Sequence, residues 1–137
     1  MRREPRDLFR VKPASDVREY RVEARSTDVF GRVLCNARDQ HFVVDGPVQN
    51  GCPGEALTPA EIFLTGVAAC AVELLGVVAR DSKVALRAAR ASARGVIDRA
   101  RPVRSDLSLF NSVHFVLSLE GVGQAQAEEL VATFKRR

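Results

Sequence analysis

The sequence predicts an α+β domain. Three observations carry this. Three short segments of alternating polarity follow one another between residues 18 and 44, a long apolar stretch with helix-start signals opens at Thr58, and a further alternating segment precedes an amphipathic terminal helix. The order is βββ–α–(β)–β–α. Strands and helices segregated in this way do not form a doubly wound parallel sheet.

The elements follow in chain order. Residues 1–15 are Arg-rich, contain Pro5 and Pro13, and read as an arm; residues 16–137 then form a single domain. Arg18–Arg25 alternates, with Tyr20, Val22 and Ala24 on one face and Arg21, Glu23 and Arg25 on the other, which predicts a half-buried strand. Ser26-Thr27-Asp28 turns the chain into a second strand, Val29–Cys35. Asn36–Gln40 turns it again into a third, His41–Val44, to give an antiparallel meander. Asp45–Leu57 holds Gly46, Pro47, Asn50, Gly51, Pro53 and Gly54 and is a loop.

That loop feeds a helix over Thr58–Arg80. Thr58 is a natural N-cap, Pro59 suits the first helical position, and Glu61 completes a capping box. From Ile62 to Ala79 the stretch is apolar nearly all round, broken by Thr65 and Glu73, which predicts a helix buried on every side. Cys70 lies in its middle, either as a small core residue or as a shielded reactive thiol. Gly66, Glu73 and Val77 share its stripe, and a buried Glu73 would need a cation.

Ser82–Asp98 reads two ways. Arg87, Arg90 and Arg94 on an alanine-rich background favour a helix by propensity. With period two, Ala89, Ala91 and Ala93 face one side and Arg90, Ser92 and Arg94 the other. Arg99–Asp106 is a charged connector. Ser108–Glu120 alternates as a strand, and Ala127, Leu130, Val131 and Phe134 give the last helix one apolar face.

Composition narrows the function classes. A hydrophobic share of 46% excludes a disordered chain. Cys35, Cys52 and Cys70 make neither a disulfide framework nor a CxxC pair, and with two His and no HExxH neither a metal nor another cofactor is expected. The first fifteen residues hold no apolar signal core, so a reducing cytoplasm and free thiols are expected. Ile62–Ala79 falls short of the ~20 residues of a membrane span and carries Glu73, so no membrane partner is expected. The net charge of +4 and the cluster Arg87, Arg90, Arg94, Arg99, Arg101 and Arg104 raise nucleic-acid binding. With no Trp, one Tyr and no recognition motif, that reading ranks last.

Thr58-Pro59-Ala60-Glu61-Ile62-Phe63-Leu64, followed by Val67-Ala68-Ala69-Cys70 and preceded by Asp45-Gly46-Pro47 and the Gly51–Gly54 loop, resembles the OsmC/Ohr superfamily. The element order over Arg18–Phe134 agrees. The resemblance implies an OsmC-like fold: an antiparallel sheet packed on a buried central helix, in an intertwined homodimer with a site at each interface. It also implies that Ser82–Asp98 is largely strand, and that reading is followed here.

Characterised members of the superfamily include thiol peroxidases that reduce organic hydroperoxides with a thiol reductant. By this resemblance Cys70 is the nucleophile, a thiolate that attacks the O–O bond. An arginine lowers its pKa and polarises the peroxide, and the Gly31-Arg32 pair points to Arg32, with Arg25 as the fallback. A glutamate orients that arginine, and Glu61 is the candidate. In the clear peroxidase branches the glutamate directly follows the proline. Here that place is Ala60, and Glu61 is turned by about 100° around the helix; the Pro-x-Glu form resembles a less characterised OsmC-like branch. The family's second cysteine belongs to the terminal helix, and no Cys follows Cys70 here. Cys52 is then the better substitute and Cys35 a packing residue. His41 and His114 read as surface or rim residues. The competing function is a non-catalytic module that binds an apolar small molecule at the dimer interface, with Cys70 inert.

Overall fold

The computed structural model describes residues 17–137; the arm expected over residues 1–15 lies outside them. The chain divides into two compact units that meet in sequence between Glu61 and Ile62. Each is described on its own.

The first unit is an antiparallel meander of β1 (Glu23–Ser26), β2 (Arg32–Ala37) and β3 (Gln40–Asp45), in that spatial order. Two of its boundaries correct the sequence reading. The first strand is four residues long, not eight, and Tyr20 and Val22 are largely exposed. Its register explains this. Glu23 pairs with Asn36, and β2 ends one residue later at Ala37, so residues before Val22 face a turn rather than a strand. The second strand starts at Arg32, not Val29. Thr27 holds the turn, its Oγ1 donating to the Arg32 carbonyl at 3.0 Å and accepting from the Val29 amide at 3.2 Å. Gly31, at φ +79°, completes that turn in the left-handed region that suits glycine.

β2 and β3 are joined by Arg38-Asp39 alone, so Ala37 faces Gln40 and, at the open end, Arg32 faces Asp45. After β3 the chain makes a short 3₁₀ turn, Val48–Asn50, and returns to the hairpin. The Asp45 amide donates to the Leu57 carbonyl at 3.1 Å.

Helix α1 (Pro59–Asp81) begins at the next residue but one. The capping box is present. Glu61 Oε1 accepts from the Thr58 hydroxyl at 2.8 Å and from the Thr58 amide at 3.3 Å, while Thr58 Oγ1 receives the Glu61 amide at 3.4 Å. At 23 residues α1 is long and apolar enough to cross a membrane by length and composition alone, a test that a core helix also passes.

In the second unit α1 is followed by the antiparallel pair β4 (Ala88–Val96) and β5 (Ser112–Glu120) and by α2 (Gln124–Phe134). Leu75, Val78 and Ala79 of α1 and Leu130 of α2 form the buried core, with Ala89, Leu117, Leu119, Val131 and Phe134 packed against it. The helix propensity of the 82–98 segment is overruled, as the family resemblance implied. All nine residues of β4 pair with β5, and the half-buried positions Ala89, Ala91 and Ala93 alternate with the exposed Arg90, Ser92 and Arg94. Gly95 is fixed by Phe110, whose ring carbon would lie 2.5 Å from any Cβ there. A helix would forfeit this pairing, and propensity differences of well under 1 kcal/mol per residue do not compensate.

Within a single chain, the expectation that α1 is buried on every side is met on one side only. Its buried residues are Ala71, Leu75, Val78 and Ala79, while Phe63, Val67, Cys70 and Glu73 are exposed. These fall on one stripe at spacings of three and four, so the helix has one covered side and one open side.

Leu75→Ala is expected to cost roughly 2–5 kcal/mol through a core cavity. Thr58→Ala should cost about 1 kcal/mol through the lost cap. Urea denaturation of each variant checks both.

Candidate functional site

Arg32 and Asp45 are cross-strand partners at the open end of the β2–β3 hairpin. Arg32 Nε donates to Asp45 Oδ1 at 2.8 Å and Nη2 to Oδ2 at 2.9 Å, a two-point fork. Nη2 also donates to Glu55 Oε2 at 3.1 Å. Asp45 is fully buried, the sole buried charged residue among those described. Its Oδ2 accepts two further bonds, from the amides of Glu55 at 3.0 Å and Ala56 at 2.8 Å. Every demand of a buried carboxylate is met from one arginine and one returning loop.

The electrostatics follow from these contacts. The fork from Arg32, then the Ala56 and Glu55 amides, hold the Asp45 carboxyl well below the usual carboxylate range against the opposing effect of burial. The bonds to Asp45 and Glu55 raise the already high pKa of Arg32, so the guanidinium is permanently charged. Its side chain is 28% exposed, and its Nη1 has no hydrogen-bond acceptor among the described residues. The result is a rigid cation with one open edge.

Glu61, expected to orient the arginine, has its carboxylate engaged by Thr58 at the start of α1. The carboxylates that hold Arg32 are Asp45 and Glu55, neither of which the sequence reading paired with it. Asp45 was legible in principle: a two-residue turn at Arg38-Asp39 sets residue sums that place Asp45 opposite Arg32. Glu55 had no local signal, because its place depends on how the loop folds back.

Cys70 belongs to the second unit, where it is exposed, not buried as the apolar run suggested. Gly66, one turn earlier, has open space where a side chain would stand. Phe63, two turns earlier on the same stripe, stacks on Phe110 with ring centroids 5.9 Å apart. Glu73 is exposed and so does not require the cation that burial would have demanded. An open thiol on an apolar stripe with an aromatic pair at one end suits an apolar reactant. Cys35, Cys52 and Cys70 are all free thiols; Cys35 is half-buried on β2. His41 and His114 are exposed. Among the described residues no three His, Cys, Asp or Glu side chains gather at metal-binding distance.

No model of a protein family matches the sequence, and no curated protein is similar to it. Solved structures match its fold. An organic hydroperoxide resistance protein from Elizabethkingia anophelis, with thiocyanate bound, is 16% identical over 88% of this chain and 83% of its own, at a TM-score of 0.72. An OsmC-like protein from Mycoplasma pneumoniae is 12% identical over 88% and 82%, at 0.74. A Vibrio cholerae protein assigned to organic hydroperoxide resistance, with captopril in one of its active sites, is 24% identical over 93% and 84%, at 0.61. The chain therefore has the OsmC/Ohr fold, as Thr58–Cys70 suggested.

Asp45 is expected to shape the acid limb of stability. A carboxylate with a depressed folded pKa contributes stability that is complete above its unfolded pKa of about 4 and is lost as pH falls toward the folded value. Asp45→Asn should be less stable than wild type at neutral pH, with the difference shrinking progressively below about pH 4. Urea denaturation of both proteins from pH 7 to pH 3 measures this.

Proposed function

We propose that this protein is a thiol-dependent peroxidase that reduces organic hydroperoxides through Cys70. The observation that carries the reading is the open Cys70 thiol on the apolar stripe of α1, in a fold shared with organic hydroperoxide resistance proteins. The Cys70 thiolate attacks the terminal peroxide oxygen, the O–O bond breaks, and the departing alkoxide takes a proton to leave as the alcohol. Cys70 is left as a sulfenic acid. One sulfur of a dithiol displaces water from it to give a mixed disulfide. The second sulfur then releases the Cys70 thiol and a closed disulfide, so the dithiol supplies both electrons.

Arg32 is the cation of this chemistry, a preorganised donor for peroxide oxygen. Asp45 and Glu55 orient it, and Glu61 fixes the first turn of α1. Cytoplasmic thiols are the natural reductant, and a homodimer is the working form. A second copy would cover the open side of α1, where Phe63 is 59% and Val67 40% exposed. The same apolar stripe also suits a module that binds an apolar molecule without chemistry, and the test separates the two.

Wild type should consume cumene hydroperoxide with dithiothreitol, and Cys70→Ser should keep the fold and abolish consumption. Arg32→Ala would strand the buried Asp45 carboxylate, so Arg32→Lys is the better probe. An ammonium cannot reproduce the fork, and sulfenate formation at Cys70, trapped with dimedone, should slow by about a hundredfold. No consumption by wild type with either monothiols or dithiols would sink the peroxidase and leave the binding module.

A further inference from the structure

Two glycines adjoin the Arg32–Asp45 pair: Gly31 precedes the arginine and Gly46 follows the aspartate. Their backbones touch, the Gly46 amide donating to the Gly31 carbonyl at 2.7 Å. A Cβ at Gly31 would stand 2.3 Å from Cys52 Sγ, and one at Gly46 would stand 2.4 Å from the same sulfur. The sulfur therefore fills the space of both missing side chains. The two glycines differ in kind. Gly31 needs its identity for the backbone, at φ +79°. Gly46 has no such constraint, and Cys52 is what stands against a side chain there. The 3₁₀ turn and Gly51, at φ +75°, carry Cys52 back over the hairpin. The thiol has one weak polar contact, 3.9 Å to the Asn50 carbonyl, so packing rather than hydrogen bonding holds it.

We infer that Cys52 is a positioning residue for Arg32. Its sulfur wedges between Gly31 and Gly46, sets the spacing of the two backbones at the hairpin mouth, and so aligns the guanidinium fork with the Asp45 carboxylate. The volume at position 52 is what matters. This differs from the resolving role that the sequence suggested, since a sulfur filling this notch must leave it to form a bond. The catalytic consequence rests on the peroxidase reading; the alignment does not.

The alignment is read by NMR without any activity. In wild type the Arg32 Nε–H should give a protected signal, and the Asp45 carboxyl should stay ionised below the pH at which the other carboxylates titrate. Cys52→Ser, close in size, should keep both signatures. Cys52→Met, which overfills the notch, should lose the Nε–H signal and return Asp45 toward the ordinary value of about 4. Gly46→Ala should do the same, and Gly46→Ala combined with Cys52→Gly should restore both signatures. Retention of both in Cys52→Met or in Gly46→Ala overturns the inference, as does a double variant no better than Gly46→Ala. If Cys52→Met does not fold, the Gly46 cycle decides. Peroxide consumption is followed in parallel. Lost alignment with unchanged consumption would leave the positioning role standing and remove Arg32 from the chemistry.

Discussion

A carboxylate at zero exposure is the constraint around which the first unit is organised. Burying Asp45 is tolerable because four donors reach it, two from Arg32 and two from the loop that follows. Each donor ties down a different piece of chain. The fork sets the open end of the β2–β3 hairpin. The Glu55 and Ala56 amides fold the Gly/Pro-rich loop back on itself, and the Asp45 amide holds Leu57. Thr58 comes next, and with it the cap that starts α1. A loop with three glycines and two prolines from Gly46 to Gly54 has little intrinsic preference for one path. The buried acid supplies that preference.

The second unit is governed by a different force. Leu75, Val78 and Ala79 on one side of α1 enter the core with Leu130, and the alanines of β4 let the sheet approach closely. No polar group is spent there. The other side of the helix keeps Gly66, Cys70 and Phe63 in the open. Division of labour along one helix explains why its sequence lacks the usual amphipathic contrast: both sides are apolar, for different reasons.

Much of this was legible in the chain. The βββ order, the capping box of Thr58 and Glu61, and the apolar face of α2 follow from local periodicity and capping chemistry, which depend on near neighbours. The failures share a cause. Tyr20 alternates correctly but lies opposite the Arg38-Asp39 turn, because β2 has already ended. The β4 segment has helical residues in a strand, since pairing with β5 lies beyond any local window. Arg32 could be named from Gly31-Arg32, whereas its partners Asp45 and Glu55 are joined to it only through hairpin register and loop return. A uniformly apolar run gave the existence of α1 but not which side the chain itself would cover.

The charge balance at Arg32 narrows what this arginine can do. One guanidinium faces two carboxylates, so the cluster carries a net charge of −1. Asp45 is buried and its bond is fixed, while Glu55 is 78% exposed and holds Nη2 through a solvated contact of little net strength. Such a cluster does not draw anions from a distance, since the field of the cation is cancelled within a few ångströms. What survives is direction: the Nη1 donors of an immobilised guanidinium, able to bond an oxygen that arrives for other reasons. A neutral reactant is not repelled by the net charge of the cluster, whereas an anion is. The stripe beside Cys70 bears the exposed Phe63, Val67 and Glu73 and no cation, so it too offers an anion nothing to pair with. On the peroxidase proposed above, these two separate parts of the chain, one polar and one apolar, would each favour an uncharged organic hydroperoxide over an anionic one.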